Sequence, residues 1–366
     1  MQTEVIIVGG GLSGLVTANL LSKQSIDFLV LEARPEPGGR ILSENTSSNN
    51  SPVTAVDMGP SWFWPGQPFI EQLINDTGLT EAVFQQYHSG HSVIEYASGQ
   101  LEIGQGSASM AGSYRLNGGL NRLIHTLSKQ LTREQLITDA KVTKLTRTDT
   151  GITTTATIGR SEHSVQAKQV VLALPPRVTA DSIATAPALP AKTLAIMRAK
   201  ATWMAAHAKF CAVYENAFWR DQGLSGDGMS QKGPLVEIHD ASPESGGPYA
   251  LFGFVGIPAS HREKQDSLII KLALEQIDRM FGNGASHAPL TTHYKDWAFD
   301  AFTATQADRD SPATHHGNNP VFNPEWDNRL IFAGTETATG TGQSNGYIEG
   351  AIESAHRAAS WLSKTK

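Results

Sequence analysis

The sequence predicts an α/β fold, a parallel sheet with helices on both faces, joined to a second, smaller α+β unit. Three observations predict it. The chain opens on an all-apolar strand, a glycine turn and a helix with apolar periodicity, the order of a βαβ unit. Further short, fully apolar runs recur at 170–174 and 330–333, the pattern of strands buried on both faces. The length, 366 residues, exceeds one ordinary domain at roughly 150 residues each.

The elements follow in chain order. Val5–Val8 is the first strand, Gly9–Gly14 the turn, Leu15 to Leu21 the helix and Phe28–Leu31 the second strand. Residues 45–52 form a polar loop. Phe69, Ile70, Leu73 and Ile74 have helical spacing, and Gly78 ends that helix. Residues 86–110 mix Gly, Ser and alternating apolar positions and read as hairpin or loop. Leu120–Leu131 is helical. Lys141–Arg147 and Ile152–Ile158 are strands about an Asp149-Thr-Gly151 turn. Gln169–Leu174 is a buried strand closed by Pro175-Pro176. Pro190–Ala201 is helical, with its proline in the first turn. Lys209–Tyr214 and Tyr249–Val255 belong to a second sheet. Leu268–Phe281 is a helix stopped by Gly282, Arg329–Ala333 the last strand, and Gly346–Leu362 the terminal helix. These elements divide into a discontinuous first domain (1–66, 112–198 and 290–366) and a second (67–111 and 199–289).

Composition excludes several classes. Charged residues are 17%, against about 25% for a typical domain. Glycine is abundant at 34 residues. Low charge with much glycine suggests tight backbone approaches around a large buried ligand. The net charge of −6 leaves no basic face for nucleic acid or an anionic membrane. Cys211 is the single cysteine, so no internal disulfide forms. No basic, apolar leader opens the chain and no apolar run reaches 18 residues. A cytoplasmic location is expected.

Gly9, Gly11 and Gly14 form GxGxxG between the first strand and its helix. Gly9 allows the tight turn, Gly11 lets backbone approach a pyrophosphate, and Gly14 lets helix pack on strand. The helix N-terminus then holds the anion, with Leu12 and Ser13 in its first turn. Glu32 ends the second strand, where an acidic residue accepts from ribose hydroxyls and favours NAD or FAD over NADP.

Beyond this unit, Glu32-Ala33-Arg34 runs into Gly38-Gly39-Arg40. Asp57-Met-Gly59-Pro-Ser61-Trp62, Gly118-Gly119, the run 170–176, Phe332-Ala-Gly334-Thr-Glu336 and Gly346-Tyr347-Ile348 follow. With these blocks the whole chain resembles the flavin-containing amine oxidase family, which includes monoamine and polyamine oxidases. The resemblance implies a Rossmann-like FAD-binding domain, a parallel-sheet FAD/NAD(P)-binding fold of GR2 type, with a reduced substrate domain. It implies that Glu32 and Ala33 meet the adenosine ribose, that Arg34, Gly39 and Arg40 meet the diphosphate, and that Val142 meets adenine through its backbone. Gly59, Ser61 and Trp62 would pass beside the flavin ring. Glu336 would touch the ribityl or diphosphate region, and Gly334, Gly346 and Ile348 would complete the site, with the last helix N-terminus aimed at the flavin N1–C2 carbonyl. Lys209 precedes Phe218-Trp219 by nine residues, the family spacing for a lysine that holds water at flavin N5. A lysine in an apolar strand is costly to bury without a role. Tyr347 matches the aromatic that stands over the flavin and orients an amine.

The chain also departs from the family. The residue nine past Trp297 is Gln306, not the cysteine that carries covalent FAD, and the next is Ala307. FAD is therefore expected to be non-covalent, with the second ring opposite Tyr347 supplied by Trp62, Phe302 or another aromatic. Gly340–Asn345 carries three extra residues at the mouth of the site. Only 55 residues separate Trp62 from Gly118, less than half the family length. The pocket is then open, or roofed by another subunit or partner. His315-His316 lies in a polar loop, and no metal spacing or GxSxG elbow occurs.

The implied activity is oxidation of an amine C–N bond to an imine, with hydride transfer to flavin N5 and oxygen as acceptor giving hydrogen peroxide. Two alternatives stay open. One is a desaturase or dehydrogenase acting on C–C bonds with another acceptor. The other is a non-catalytic FAD-binding module for a partner protein.

Overall fold

A computed structural model describes residues 2–46, 55–104, 110–282, 284, 286–310, 320–340 and 344–364. His315, His316, most of the 45–52 loop and residues 341–343 of the Gly340–Asn345 insertion lie outside the described residues.

The first sheet has a parallel core in the order Leu136–Ile137, Phe28–Leu31, Gln2–Val8, Ser161–Leu172, Leu330–Phe332. Side-chain alternation decides which helices cover it. Val5 and Ile7 join Val30, Val171 and Ile331 under helices Leu12–Lys23 and Ile348–Lys364, through Ala18, Leu21, Ala358 and Leu362. Ile6 and Val8 face the other way, with Leu29, Leu31, Val170 and Leu172. There they meet Val142, Leu145 and Met197. The strand Ser161–Leu172 is longer than its apolar half. Its polar start pairs antiparallel with Ile152–Ile158, which pairs with Ala140–Arg147. One long strand thus serves both the parallel core and an antiparallel meander.

The second sheet has seven strands in the order Thr291–Asp296, Ala208–Tyr214, Tyr249–Val255, Leu235–Asp240, Leu224–Ser230, His91–Glu95, Leu101–Gly104. Helix Asp266–Phe281 covers one face, against Phe210, Ala212 and Tyr214. Cys211 and Val213 project to the opposite face and meet Val56 and Met58. Period-2 alternation therefore aims Lys209 at the first domain as well.

Several elements differ from expectation for local reasons. The 86–110 stretch contains the hairpin His91–Glu95 and Leu101–Gly104. Leu224–Ser230, Leu235–Asp240 and Thr291–Asp296 carry weak strand signals, since LSGDGMS holds two glycines and TTHYKD is polar and half-buried throughout. Strand pairing, not propensity, fixes them. Thr291–Asp296 lies within a stretch read above as first domain, yet it pairs antiparallel with Ala208–Tyr214. Helix ends shift slightly, to Asn121–Ser128, Ala191–Ala199 and Ile348–Lys364.

One buried ion pair pins the sheet edge to the rest. The Arg262 guanidinium donates to both Asp296 oxygens at 2.8 Å and to the Ala206 carbonyl at 2.7 Å. Both side chains are nearly excluded from solvent. Removing one partner strands a buried charge. Arg262→Met should therefore destabilise the protein by about 3–5 kcal/mol, read as a lower urea midpoint. A change under about 1 kcal/mol, the range of exposed pairs, would show that the pair is not buried in solution.

Candidate active site

The nucleotide end is built from backbone. Gly9 has φ of +104°, and a Cβ there would lie 2.7 Å from the Ala173 carbonyl oxygen. A Cβ on Gly14 would lie 1.9 Å from the Gly9 carbonyl oxygen, so only glycine lets the helix start there. The Glu32 carboxylate accepts from the Gly10 amide at 2.6 Å and the Arg34 amide at 2.9 Å. These bonds fix the end of the second strand against the turn. The Gly38 amide donates to the Gly10 carbonyl at 3.0 Å, closing the loop from the other side. Arg34 pairs with Asp300 and lies over Phe302. Arg40 makes a forked contact with Glu336 at 2.6 and 3.0 Å.

The other end is built from side chains of the second sheet. Lys209, Phe254 and Glu237 are direct cross-strand partners on three adjacent strands. They therefore form one rung on one face. Lys209 is 2% exposed. Its amine donates to Ser61 Oγ at 2.8 Å and to the Gly59 carbonyl at 3.2 Å. It lies 3.8 Å from the Phe252 ring centroid. Burial is the main influence on Lys209 and lowers its pKa to about 7, though Asp57 and Cys211 pull the other way. On the next rung His239 bonds Asp227 through Nδ1 at 2.8 Å and Glu237 through Nε2 at 2.7 Å. Burial depresses His239, but the two carboxylates outweigh it and hold the imidazole above its usual range.

Tyr347 stands one residue before the last helix, its carbonyl accepting from Thr335 Oγ1 at 2.7 Å. Trp64 meets it edge-on, with ring centroids 6.3 Å apart. In the cluster 62–64, Trp62 and Trp64 turn to the cavity while Phe63 enters the core. Phe302, expected as one candidate second ring, sits instead against Arg34 at the nucleotide end.

One cavity of about 610 Å³ connects the two ends. Gly9, Gly11, Leu12, Ser13, Glu32, Ala33, Arg34, Gly39 and Arg40 line it from the first domain. So do Gly59, Ser61, Trp62, Val142, Gly334, Gly346, Tyr347 and Ile348, with Lys209 from the second sheet. Gly14 and Glu336 stand behind this wall, one under the helix start and one behind Arg40. Sequence reasoning missed Glu237, Asp227 and His239. The signal was there in Glu237-Ile-His239, two titratable residues on one face of a strand. Among the described residues no three His, Cys, Asp or Glu side chains could hold a metal, and no helix is long and apolar enough to cross a membrane.

A family model for flavin containing amine oxidoreductases matches residues 105–362, more than half of the chain. The chain belongs to this family. A second model, a NAD(P)-binding Rossmann-like domain, matches residues 7–77. Putrescine oxidase of Kocuria rosea is 22% identical over 446 aligned positions, covering 89% of this chain and 90% of the relative. Flavin-containing amine oxidase A of Canis lupus familiaris is 23% identical, covering 97% and 84%. Each alignment is longer than this chain, so each relative carries segments that are absent here. In three dimensions the chain is similar to putrescine oxidase bound to putrescine, at TM-score 0.78 and 18% identity over 100% of this chain and 99% of the other. It is also similar to cyclohexylamine oxidase from Brevibacterium oxydans, at TM-score 0.79 and 18% identity over 99% of both. These likenesses carry the fold, including the Rossmann-like domain.

FAD is the cofactor of this amine oxidoreductase, and the residues present fit it. The cavity volume lies within the range of about 300–1,000 Å³ for ligand sites. Gly9 and Gly14 admit no Cβ, and an acidic residue ends the second strand beside them. Cys211 is buried and is not part of the cavity wall, so no thiol lines it.

The lysine carries a stability signature of this amine oxidoreductase. The unfolded chain keeps its Lys209 proton up to about 10.5, while the folded apoprotein keeps it only to about 7. Between those values the unfolded state binds more protons, so folding stability rises with pH. The penalty of burying the charge is full below about pH 7 and fades toward 10.5. Lys209→Met should thus raise the apoprotein Tm more at about pH 6 than at about pH 10. Equal gains at both would refute a buried, easily deprotonated amine.

Proposed function

We propose that this chain oxidises an amine C–N bond to an imine. FAD, when bound, would accept the hydride equivalent at N5 and pass the electrons to oxygen, giving hydrogen peroxide. The observation that carries the reading is Lys209, buried on the wall between Ser61 and Phe252 in a chain of this family.

The protein's part is binding, orientation and dryness. The Gly9–Gly14 turn and the helix start at Leu12 and Ser13 would take the diphosphate on free backbone N–H groups. Glu32 keeps acceptor capacity for ribose hydroxyls after its two backbone bonds, because a carboxylate has about four lone-pair sites. Arg40, fixed by Glu336, and Arg34, fixed by Asp300, would offset phosphate charge. Val142 lies on the wall where adenine would rest. The first N–H groups at Ile348 would face the flavin carbonyl as negative charge develops. FAD would be held without a thioether, since no thiol reaches the cavity.

Lys209 with Ser61 would hold a water beside the reacting atoms. A Lys209 pKa of about 7 makes proton exchange with that water easy near neutrality. Tyr347, with Trp64 edge-on beside it, would present a ring on the cavity wall that can orient an amine nitrogen. A neutral amine needs no strong base there.

The substrate carries a second cation. Glu237 lies on the cavity wall two strands from Lys209, roughly 10 Å at the usual strand spacing. A carboxylate at that reach suits the distal ammonium of a short diamine. The likeness to putrescine oxidase bound to putrescine supports this choice.

Three experiments test the reading. The holoenzyme should release peroxide with amines and bleach its flavin absorbance anaerobically. Silence toward a panel of mono- and diamines, or reoxidation only by a quinone or dye, would sink the oxidase assignment. Lys209→Met should retain FAD and slow reoxidation at least about tenfold, by stopped-flow absorbance. Unchanged reoxidation would remove Lys209 from the oxygen step. Glu237→Gln should lower the ratio of kcat/KM for 1,4-diaminobutane over n-butylamine by about ten- to a hundredfold, the scale of a charged hydrogen bond.

A further inference from the structure

We propose that Asp227 and His239 form a relay that holds the Glu237 carboxylate in place as a cation anchor of the cavity. The inference rests on the reading that the cavity takes an amine, and it adds two residues that do not line the cavity themselves.

His239 is 1% exposed and bonds a carboxylate through each ring nitrogen. A neutral imidazole has one N–H and one lone pair, so it serves only one carboxylate well. With both carboxylates ionised, both nitrogens must donate, and the ring is an imidazolium. The ring has little freedom. Trp62 packs edge-on at 5.1 Å and Phe252 lies at 5.5 Å. Trp62 is itself tied through Nε1 to Gln86 at 2.9 Å.

Both carboxylates stand beside irregularities of the sheet. The register shifts between Leu224 and Gly228, beside Asp227, and again between Leu235 and Glu237. Bulges re-aim side chains, and here each shift falls next to a carboxylate of the relay. Gly226 takes φ of +85°, and a Cβ there would press on Asp240 and Trp219 at 3.0–3.1 Å. The Asp227 amide is anchored on Ser225 Oγ at 3.1 Å. Of the three residues, Glu237 is the one that lines the cavity.

The test compares holoenzyme variants by the same diamine-to-monoamine ratio of kcat/KM. Asp227→Leu/His239→Leu removes the relay as a unit, so Asp227 is not left as a buried carboxylate without its imidazole partner. Its ratio should fall at least about tenfold, mainly through KM for the diamine. Asp227→Asn/His239→Gln rebuilds a donor chain to Glu237 without charge, and should recover most of the ratio. A second readout needs no turnover: the Tm rise given by 1,4-diguanidinobutane should follow the same order. Retention of the wild-type ratio in the double leucine variant overturns the relay, as does failure of the Asn/Gln pair to recover it. If Glu237→Gln leaves the ratio unchanged, the diamine reading itself fails and takes the relay with it. If Glu237→Gln lowers the ratio and the relay variants do not, the relay alone fails.

Discussion

The alternation of side chains along Ala208–Tyr214 is the constraint on which the rest of the structure depends. Every residue of this strand is buried, so each side chain must find a partner on one face or the other. Phe210, Ala212 and Tyr214 take the helix Asp266–Phe281. That choice forces Lys209, Cys211 and Val213 against the first domain. A shift of one residue would put the amine under the helix among apolar side chains, where nothing could solvate it. In the observed register it reaches Ser61, the Gly59 carbonyl and an aromatic face. The junction of the two domains is therefore also the place where a titratable amine meets the cavity.

How much of this was legible in the sequence depends on what carries the information. The nucleotide end is written in backbone, and only a few residue types satisfy it. Gly9 and Gly14 are required by sterics, and Glu32 by its place at the end of an apolar strand, so motif spacing reveals all three. The parallel core was readable for the same reason: runs buried on both faces carry no polar residues. The second sheet was harder. Leu224–Ser230 looks like a turn sequence because its glycines serve a bulge and close packing on Met280 and Phe281. Thr291–Asp296 carries no apolar face at all and is a strand only because Ala208–Tyr214 offers it an edge.

The reacting end was partly legible. Lys209 stood out as a charge in an apolar strand. Glu237 did not, because a carboxylate in a half-polar strand is ordinary until cross-strand register puts it on the lysine's rung. His239 was equally silent, since its meaning lies in Asp227, twelve residues upstream and one strand away. Trp64 carried a readable signal, alternation with Phe63, but whether its face was core or cavity depended on the Phe63–Tyr114 bridge.

Chain length and site chemistry meet at this end. The relatives carry segments that this chain lacks, and the family resemblance leads one to expect the missing length between Trp62 and Gly118. A smaller substrate domain has less apolar wall with which to choose a substrate by shape. An added or lost methylene in an apolar pocket discriminates by only about 1–3 kcal/mol. A charged group held at fixed distance discriminates more sharply, because an unmatched ligand leaves it desolvated and unpaired. Glu237 with Lys209 on the same rung is the kind of device that a shortened domain can still build, since it needs three adjacent strands and no extra chain. The sheet that keeps the lysine against the cofactor side also supplies the spacing, so on the proposed reading selectivity would be a property of strand register more than of enclosed volume.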